Sequence, residues 1–200
     1  MVEGDSLLVP QDIYLKSGIY IGTKFKTRHM EQFIYRTRPD GLSVLNLQKI
    51  DERIKQAANL LANYKPEDIL IISRRENGWK AVKAFGKVTG AIVFAGRYPP
   101  GILTNPRLDT YFEPKIIMVT DAWPDRNAVG DGLKVGIPVI ALCHTNNQSN
   151  NIDLVVPCNN KGKKSLGVLF WVLANEYMKK RGLIKQNEEI SLKLEDFSEE

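Results

Sequence analysis

The chain has 200 residues, 43% of them hydrophobic, and a formal net charge of +5. That length and composition suit one domain with a real core. The absence of any run of about eighteen apolar residues argues against a membrane span, no basic-then-apolar segment suggests a signal peptide, and two cysteines in a chain this long fit a reduced interior, not a disulfide framework. The charge is uneven: residues 187–200 hold six acids and one lysine, which leaves 27 basic against 17 acidic side chains, +10, in the first 186. A basic body with an acidic tail favours a polyanionic partner such as nucleic acid; a soluble basic surface with no such partner is the plain alternative.

In chain order, residues 1–12 carry little pattern and read as an N-terminal arm. Tyr14–Phe25 mixes apolar residues with Gly18, Gly22 and Thr23, which suits a short segment and a turn. A cationic, aromatic loop follows, with Lys24, Lys26, Arg28, His29, Phe33, Tyr35, Arg36 and Arg38. Interleaved cations and aromatics can neutralise phosphates and stack on bases; the alternative is an exposed hairpin with its aromatics folded onto the body. Leu42–Leu47 reads as a first strand. Ile50, Ile54, Ala57, Ala58 and Leu61 put one apolar face on a helix over Ile50–Ala62. Pro66-Glu67 breaks the chain before a strand at Asp68–Ser73, and Gly78–Val88 is a second helix with Trp79, Val82 and Phe85 inward. Ala91–Ala95 is the next strand, completing a βαβαβ unit.

Arg97–Pro106 contains three prolines and Gly101, so it is a loop. It offers Arg97, Tyr98, Asn105 and, just beyond, Arg107 for charge, stacking and amide contacts. The runs Ile116–Thr120, Ile137–Leu142 and Asp153–Val156 are short, apolar on successive positions and rich in Val and Ile, as strands buried on both faces require. Asp125–Val135 between the first two is helical in spacing. The pattern predicts an α/β fold with a parallel sheet of about five strands flanked by helices. Ser165–Arg181 carries a broad apolar stripe; Lys179, Lys180 and Arg181 suit its C-terminal dipole and Gly182 its stop. Lys161, Lys163 and Lys164 sit at the other end, where the dipole disfavours cations, so phosphate contact is the reading there. Residues 13–186 thus form a single domain, and 187–200 a poorly ordered acidic tail.

No local signature points to catalysis. The glycine-rich nucleotide motifs and a G-x-S-x-G elbow are missing. Asp121 and Asp125 flank A-W-P after a strand and have the chemistry to hold magnesium or act as acid and base, but that spacing is common in plain turns, and Asp125 can cap the next helix. Cys143, His144 and Cys158 fall at the ends of neighbouring strands, and with His29 they supply four ligands, but their spacing matches no zinc pattern, and packing is the simpler role. Thr145-Asn146-Asn147 and Asn150-Asn151 are turn formers first, and second their amides can touch phosphate or ribose.

Four stretches in this order carry a resemblance: L-S-V-L-N-L-Q at Leu42–Gln48, A-G-R-Y-P-P-G-I-L-T-N at Ala95–Asn105, P-D-R-N-A-V-G-D-G-L-K-V-G-I-P-V-I-A-L at Pro124–Leu142, and H-T-N-N-Q-S-N-N-I-D-L-V-V-P-C-N-N at His144–Asn160. Over roughly residues 10 to 182 the chain resembles the small-subunit ribosomal protein S-two family, in the form of its archaeal and eukaryotic branch with the laminin-receptor-like protein. The resemblance implies a flavodoxin-like parallel sheet. It implies a structural constituent of the cytoplasmic small ribosomal subunit, bound to small-subunit rRNA near the head–body junction and to neighbouring ribosomal proteins, with no catalysis, cofactor, metal, membrane or small-molecule substrate. Pro124-Asp125, Gly136-Ile137-Pro138, Thr145-Asn146 and Asp153 belong to the shared signature and read as architectural. The chain departs from the bacterial branch in having no His before Gly22 and short loops in place of a helical-hairpin insertion, and His144 stands where an acid is usual. Two rival readings are an enzyme or ligand binder at the strand ends around Asp121 and His144, and a protein-interaction module using the arm or tail.

Overall fold

A computed structural model describes residues 7–185, 188 and 190–198. Its centre is a five-stranded, all-parallel sheet of β3 (Ile69–Ser73), β4 (Ile92–Ala95), β5 (Ile116–Val119), β6 (Val139–Cys143) and β7 (Leu154–Pro157), in the order β4-β3-β5-β6-β7. This is the flavodoxin-like order, in which the chain reverses direction between β3 and β5 and leaves a crevice at their carboxyl ends. Every residue of β3, β5 and β6 is buried, which explains why their sequences are continuously apolar instead of alternating.

Helices α2 (Leu47–Ala62), α3 (Trp79–Thr89) and α5 (Lys163–Lys180) pack together on one face. The Asn46 side chain starts α2 by accepting from the Gln48 N–H at 3.0 Å. Helix α5 is buried all round from Ser165 to Tyr177, beyond the single stripe expected, because α1 (Gln11–Ser17) and α6 (Leu194–Phe197) also pack on it. Gly167 permits that: a Cβ there would lie 2.8 Å from Ser198 Cβ. Helix α4 (Arg126–Val135) takes the other face, against β5 and β6, where a Cβ on Gly132 would meet Ile117 at 2.9 Å. The loop after β4 covers the sheet beside α4 with Ile102 and Leu103 buried.

Three expectations are corrected. Leu42–Leu47 does not join the parallel sheet: β2 (Ser43–Leu45) pairs antiparallel with β1 (Ile34–Thr37) in a separate hairpin. Its apolar run stops where α2 begins at Leu47, and its burial alternates as in a half-covered strand. The N-terminal segment is docked from Leu7 onward, with the Leu8 N–H and the buried Tyr14 hydroxyl both donating to Asp51 on α2, at 3.0 and 2.7 Å. The acidic tail packs as well: Ile190 and Phe197 are buried, and Lys80 donates to the Glu195 and Ser198 carbonyls. Asn187, Glu189, Glu199 and Glu200 lie outside the described residues.

Candidate nucleic-acid interface

All five strands run in parallel, so every loop that follows a strand emerges on one edge of the sheet. The segment after α1 is pinned to that edge. The Thr23 N–H donates to Thr145 Oγ1 (2.9 Å), the Thr27 N–H to the Thr145 carbonyl (2.9 Å), and the Thr27 hydroxyl to the Asn147 carbonyl (2.9 Å). Gly22 makes the approach possible: a Cβ there would lie 2.5 Å from the Ser43 carbonyl oxygen and 2.7 Å from Thr145 Cγ2. Thr145 therefore belongs to the architecture, as a clamp between the β6 end and the N-terminal segment.

Asp121, at the end of β5, is 2% exposed and its carboxylate is fully engaged. Oδ2 accepts from Arg75 Nε (2.6 Å) and pairs with Nη2 (2.5 Å); Oδ1 accepts from Asn147 Nδ2 (2.7 Å) and the Trp123 N–H (3.1 Å). Both oxygens are spoken for, so the group ties β3, β5 and the β6 loop together instead of serving as a base. Asp125 is buried, which raises its carboxyl to about 6. It occupies the N-cap of α4, but its side chain does not make the expected cap; Oδ2 accepts from the Arg74 N–H at 3.4 Å, and Oδ1 has no hydrogen-bond partner among the described residues. Cys143 and Cys158 do come together, with the Cys158 N–H donating to the Cys143 carbonyl at 3.0 Å. Both are fully buried, and burial pushes the Cys143 thiol up to about 12 and Cys158 well above its ordinary value. Burial and the nearby Lys161 cation push His144 down to about 4, so its ring is neutral and its Nδ1 accepts from the Thr145 N–H at 2.9 Å. Among the described residues no three His, Cys, Asp or Glu gather as a metal site.

The cationic residues singled out from the sequence are distributed as follows. Lys24, Lys26, Arg28, Arg36 and Arg38 are exposed on the pinned segment and the β1–β2 hairpin, beside the exposed Phe25 and Tyr35. Phe33 is instead buried, with the Arg53 guanidinium over its ring. Lys26 pairs with Glu31 at 3.2 Å, a surface contact of small energy. Lys161, Lys163 and Lys164 are exposed around the start of α5, and the Lys161 carbonyl accepts from Asn77 at 2.7 Å. Arg97 is exposed at the carboxyl end of β4. Asn105 and Arg107 are exposed further along that loop, and the Asn105 side chain accepts from the Arg107 N–H at 3.1 Å. Tyr98 is a correction: it is 3% exposed, and its hydroxyl donates to Asp131 on α4 at 3.2 Å. Its ring fills the core under the loop and presents no stacking surface.

The strand ends around Asp121, which the sequence offered as a rival ligand site, do hold a cleft, at the crevice between β3 and β5; sequence reasoning missed the Arg75, Trp123 and Arg126 that line it. It has a volume of about 480 Å³ and is lined by Arg75, Asp121, Trp123, Arg126, Lys161 and the amides of the 146–151 loop. A second hollow, lined by Arg74, Arg75, Trp123, Pro124 and Arg126, adjoins it. Trp123 is 70% exposed and lines both. The available signal was positional: Arg74-Arg75 directly follow β3, and Trp123 lies four residues past the end of β5, the two strands that flank the reversal in strand order.

Fold and site together define a flavodoxin-like α/β domain with a cationic, amide-rich carboxyl edge. The family described as Ribosomal protein S2 matches residues 14–110 and 107–179. The chain belongs to that family. It is 44% identical to the small ribosomal subunit protein uS2 of Nanoarchaeum equitans over 95% of this chain and 94% of that protein. It is 44% identical to the protein of the same name from Picrophilus torridus over 96% of each. For Methanococcus maripaludis strain C5 the identity is 46% over 98% of this chain and 88% of the relative. These relatives are archaeal proteins of the small ribosomal subunit, in agreement with the branch indicated by R-Y-P-P-G-I-L-T-N.

Proposed function

We propose that this protein is a structural constituent of the small ribosomal subunit, binding small-subunit rRNA and neighbouring ribosomal proteins without catalysis. The observation that carries the reading is end-to-end similarity to proteins named for that subunit. The charge supports it: the first 186 residues carry +10. The candidate phosphate contacts are Lys24, Lys26, Arg28, Arg36 and Arg38 on the N-terminal segment and hairpin, Arg97, Asn105 and Arg107 on the loop after β4, and Lys161, Lys163 and Lys164 at the start of α5. Exposed Phe25 and Tyr35 among the first group add rings on which bases can stack.

The test is filter binding of the purified protein to transcribed small-subunit rRNA over a salt series. Contacts to several phosphates make log affinity fall linearly with log salt. Reversing Lys24 and Lys26 to Glu, or Lys161 and Lys164 to Glu, lowers affinity and flattens that slope. An affinity independent of salt, or unchanged in both variants, refutes the assignment of these contacts.

A further inference from the structure

We propose that the cleft at the carboxyl ends of β3, β5 and β6 receives an unpaired nucleotide of RNA, with Trp123 as its stacking surface, Arg126 and Lys161 as its phosphate contacts and Arg74 in the adjoining hollow. The inference rests on the RNA-binding reading above and adds a specific site and a preference for unpaired over paired strands. Its volume, about 480 Å³, falls within the range of small-ligand sites, roughly 300–1,000 Å³. It also lies at the reversal of strand order, where open α/β sheets bind ligands.

The chemistry of the lining selects the occupant. An indole 70% exposed between two hollows offers a flat apolar face to a base. Among the described residues the neighbouring cations are only partly neutralised, and Arg74 Nη1 donates to the Pro124 carbonyl at 3.3 Å. Arg75 is held by the buried Asp121, whereas Arg74, Arg126 and Lys161 make no ion pair among the described residues. Asp125 lies beneath the surface with its carboxyl raised to about 6; it stays largely ionised at neutral pH and offsets part of the Arg74 charge, which leaves Arg126 and Lys161 as the principal cations. Asn146, Gln148 and Asn150 add amides to the lining, each able to donate and accept at a base edge. Cations, an exposed ring and amides together match the parts of a nucleotide; an acidic peptide uses only the cations. The bases of a continuous A-form duplex are stacked and paired, so only a looped-out or single-stranded nucleotide can enter.

The experiment measures binding of the purified protein to transcribed small-subunit rRNA, with four competitors: an unstructured ten-nucleotide RNA, the same RNA annealed to its complement, 5′-AMP and hexaglutamate. Trp123→Ala, Trp123→Phe and Arg126→Glu are compared with the Lys24→Glu, Lys26→Glu double variant. Trp123 and Arg126 are both exposed, and thermal melts are run to check that their variants fold. We expect Trp123→Ala to weaken rRNA binding by about five-fold or more, as loss of one stacked base does, and Trp123→Phe to restore most of it. We expect the single-stranded competitor to act well below the concentration of the duplex, and ultraviolet light to cross-link rRNA at Trp123. Binding that is unaffected by Trp123→Ala and Arg126→Glu but weakened by the Lys24, Lys26 variant overturns the cleft and leaves the RNA-binding reading intact. No binding of wild type to rRNA at any salt removes both. Protection of Trp123 by 5′-AMP alone, or by hexaglutamate and not RNA, reassigns the cleft to a free nucleotide or a protein segment and overturns the proposal.

Discussion

Replacing Asp121 with Ala tests whether this carboxylate is the tie that holds the carboxyl edge together. It is 2% exposed and receives Arg75 through two nitrogens, Asn147 through its amide and Trp123 through its N–H. Hydrogen bonds to a charged group contribute roughly 1.5–3 kcal/mol each, and breaking a buried pair costs roughly 3–5 kcal/mol when the partner is stranded. The Arg75 side chain is 34% exposed and can rehydrate, whereas Asn147 is 7% exposed and cannot easily do so. The expected loss is therefore near the low end, about 3 kcal/mol, or a fall in Tm of roughly 6–12 °C for a domain of this size. Urea denaturation measures it as a lower midpoint at unchanged slope. Combining Asp121→Ala with Asn147→Ala should cost less than the sum of the two single changes, since they share one contact. A loss below about 1 kcal/mol, or strict additivity, would refute the tie.

Gly22→Ala forces a Cβ against the Ser43 carbonyl and Thr145, and should destabilise by roughly 1–3 kcal/mol and increase hydrogen exchange at the Thr23 and Thr27 amides; unchanged exchange contradicts the clamp. Phe197→Ala removes a buried ring from the docked tail and should cost up to about 3 kcal/mol, with new protease cleavage within 190–198; an unaltered cleavage pattern counts against the docking. The His144 ring, with an ordinary value of 6.5, titrates at about 4 in the folded protein. The folded state therefore binds fewer protons across that interval, and the stability present above pH 6.5 is lost as pH falls toward 4. Asp125, raised from 3.8 to about 6, acts in the opposite sense over its own interval, so wild type is compared with His144→Gln, in which the fall should be smaller. NMR titration showing His144 protonated at pH 6 would contradict this.

The parallel sheet was legible because β3, β5 and β6 are buried on both faces, and continuous Val/Ile runs have few other uses. The β1–β2 hairpin was not: S-V-L is too short to show a period, and what separates it from the sheet is its pairing with Ile34–Thr37 through a turn at Gly41. The docking of Tyr14 and Phe197 depends on partners at Asp51 and Gly167, distant in sequence. At the interface, charge identified Lys24 through Arg38 and Lys161 through Lys164 as surface groups. Composition alone misjudged Tyr98, whose hydroxyl is satisfied by Asp131 inside the fold. Trp123 escaped notice because an isolated Trp after a strand reads as a core residue until its exposure is known.

The most direct measurement of the central claim is sedimentation of the native protein from cell lysate through sucrose gradients at low and high salt. The account predicts co-migration with small ribosomal subunits at low salt and progressive release as salt rises, because phosphate contacts hold part of the affinity. A peak that stays at the top of the gradient at every salt would contradict it.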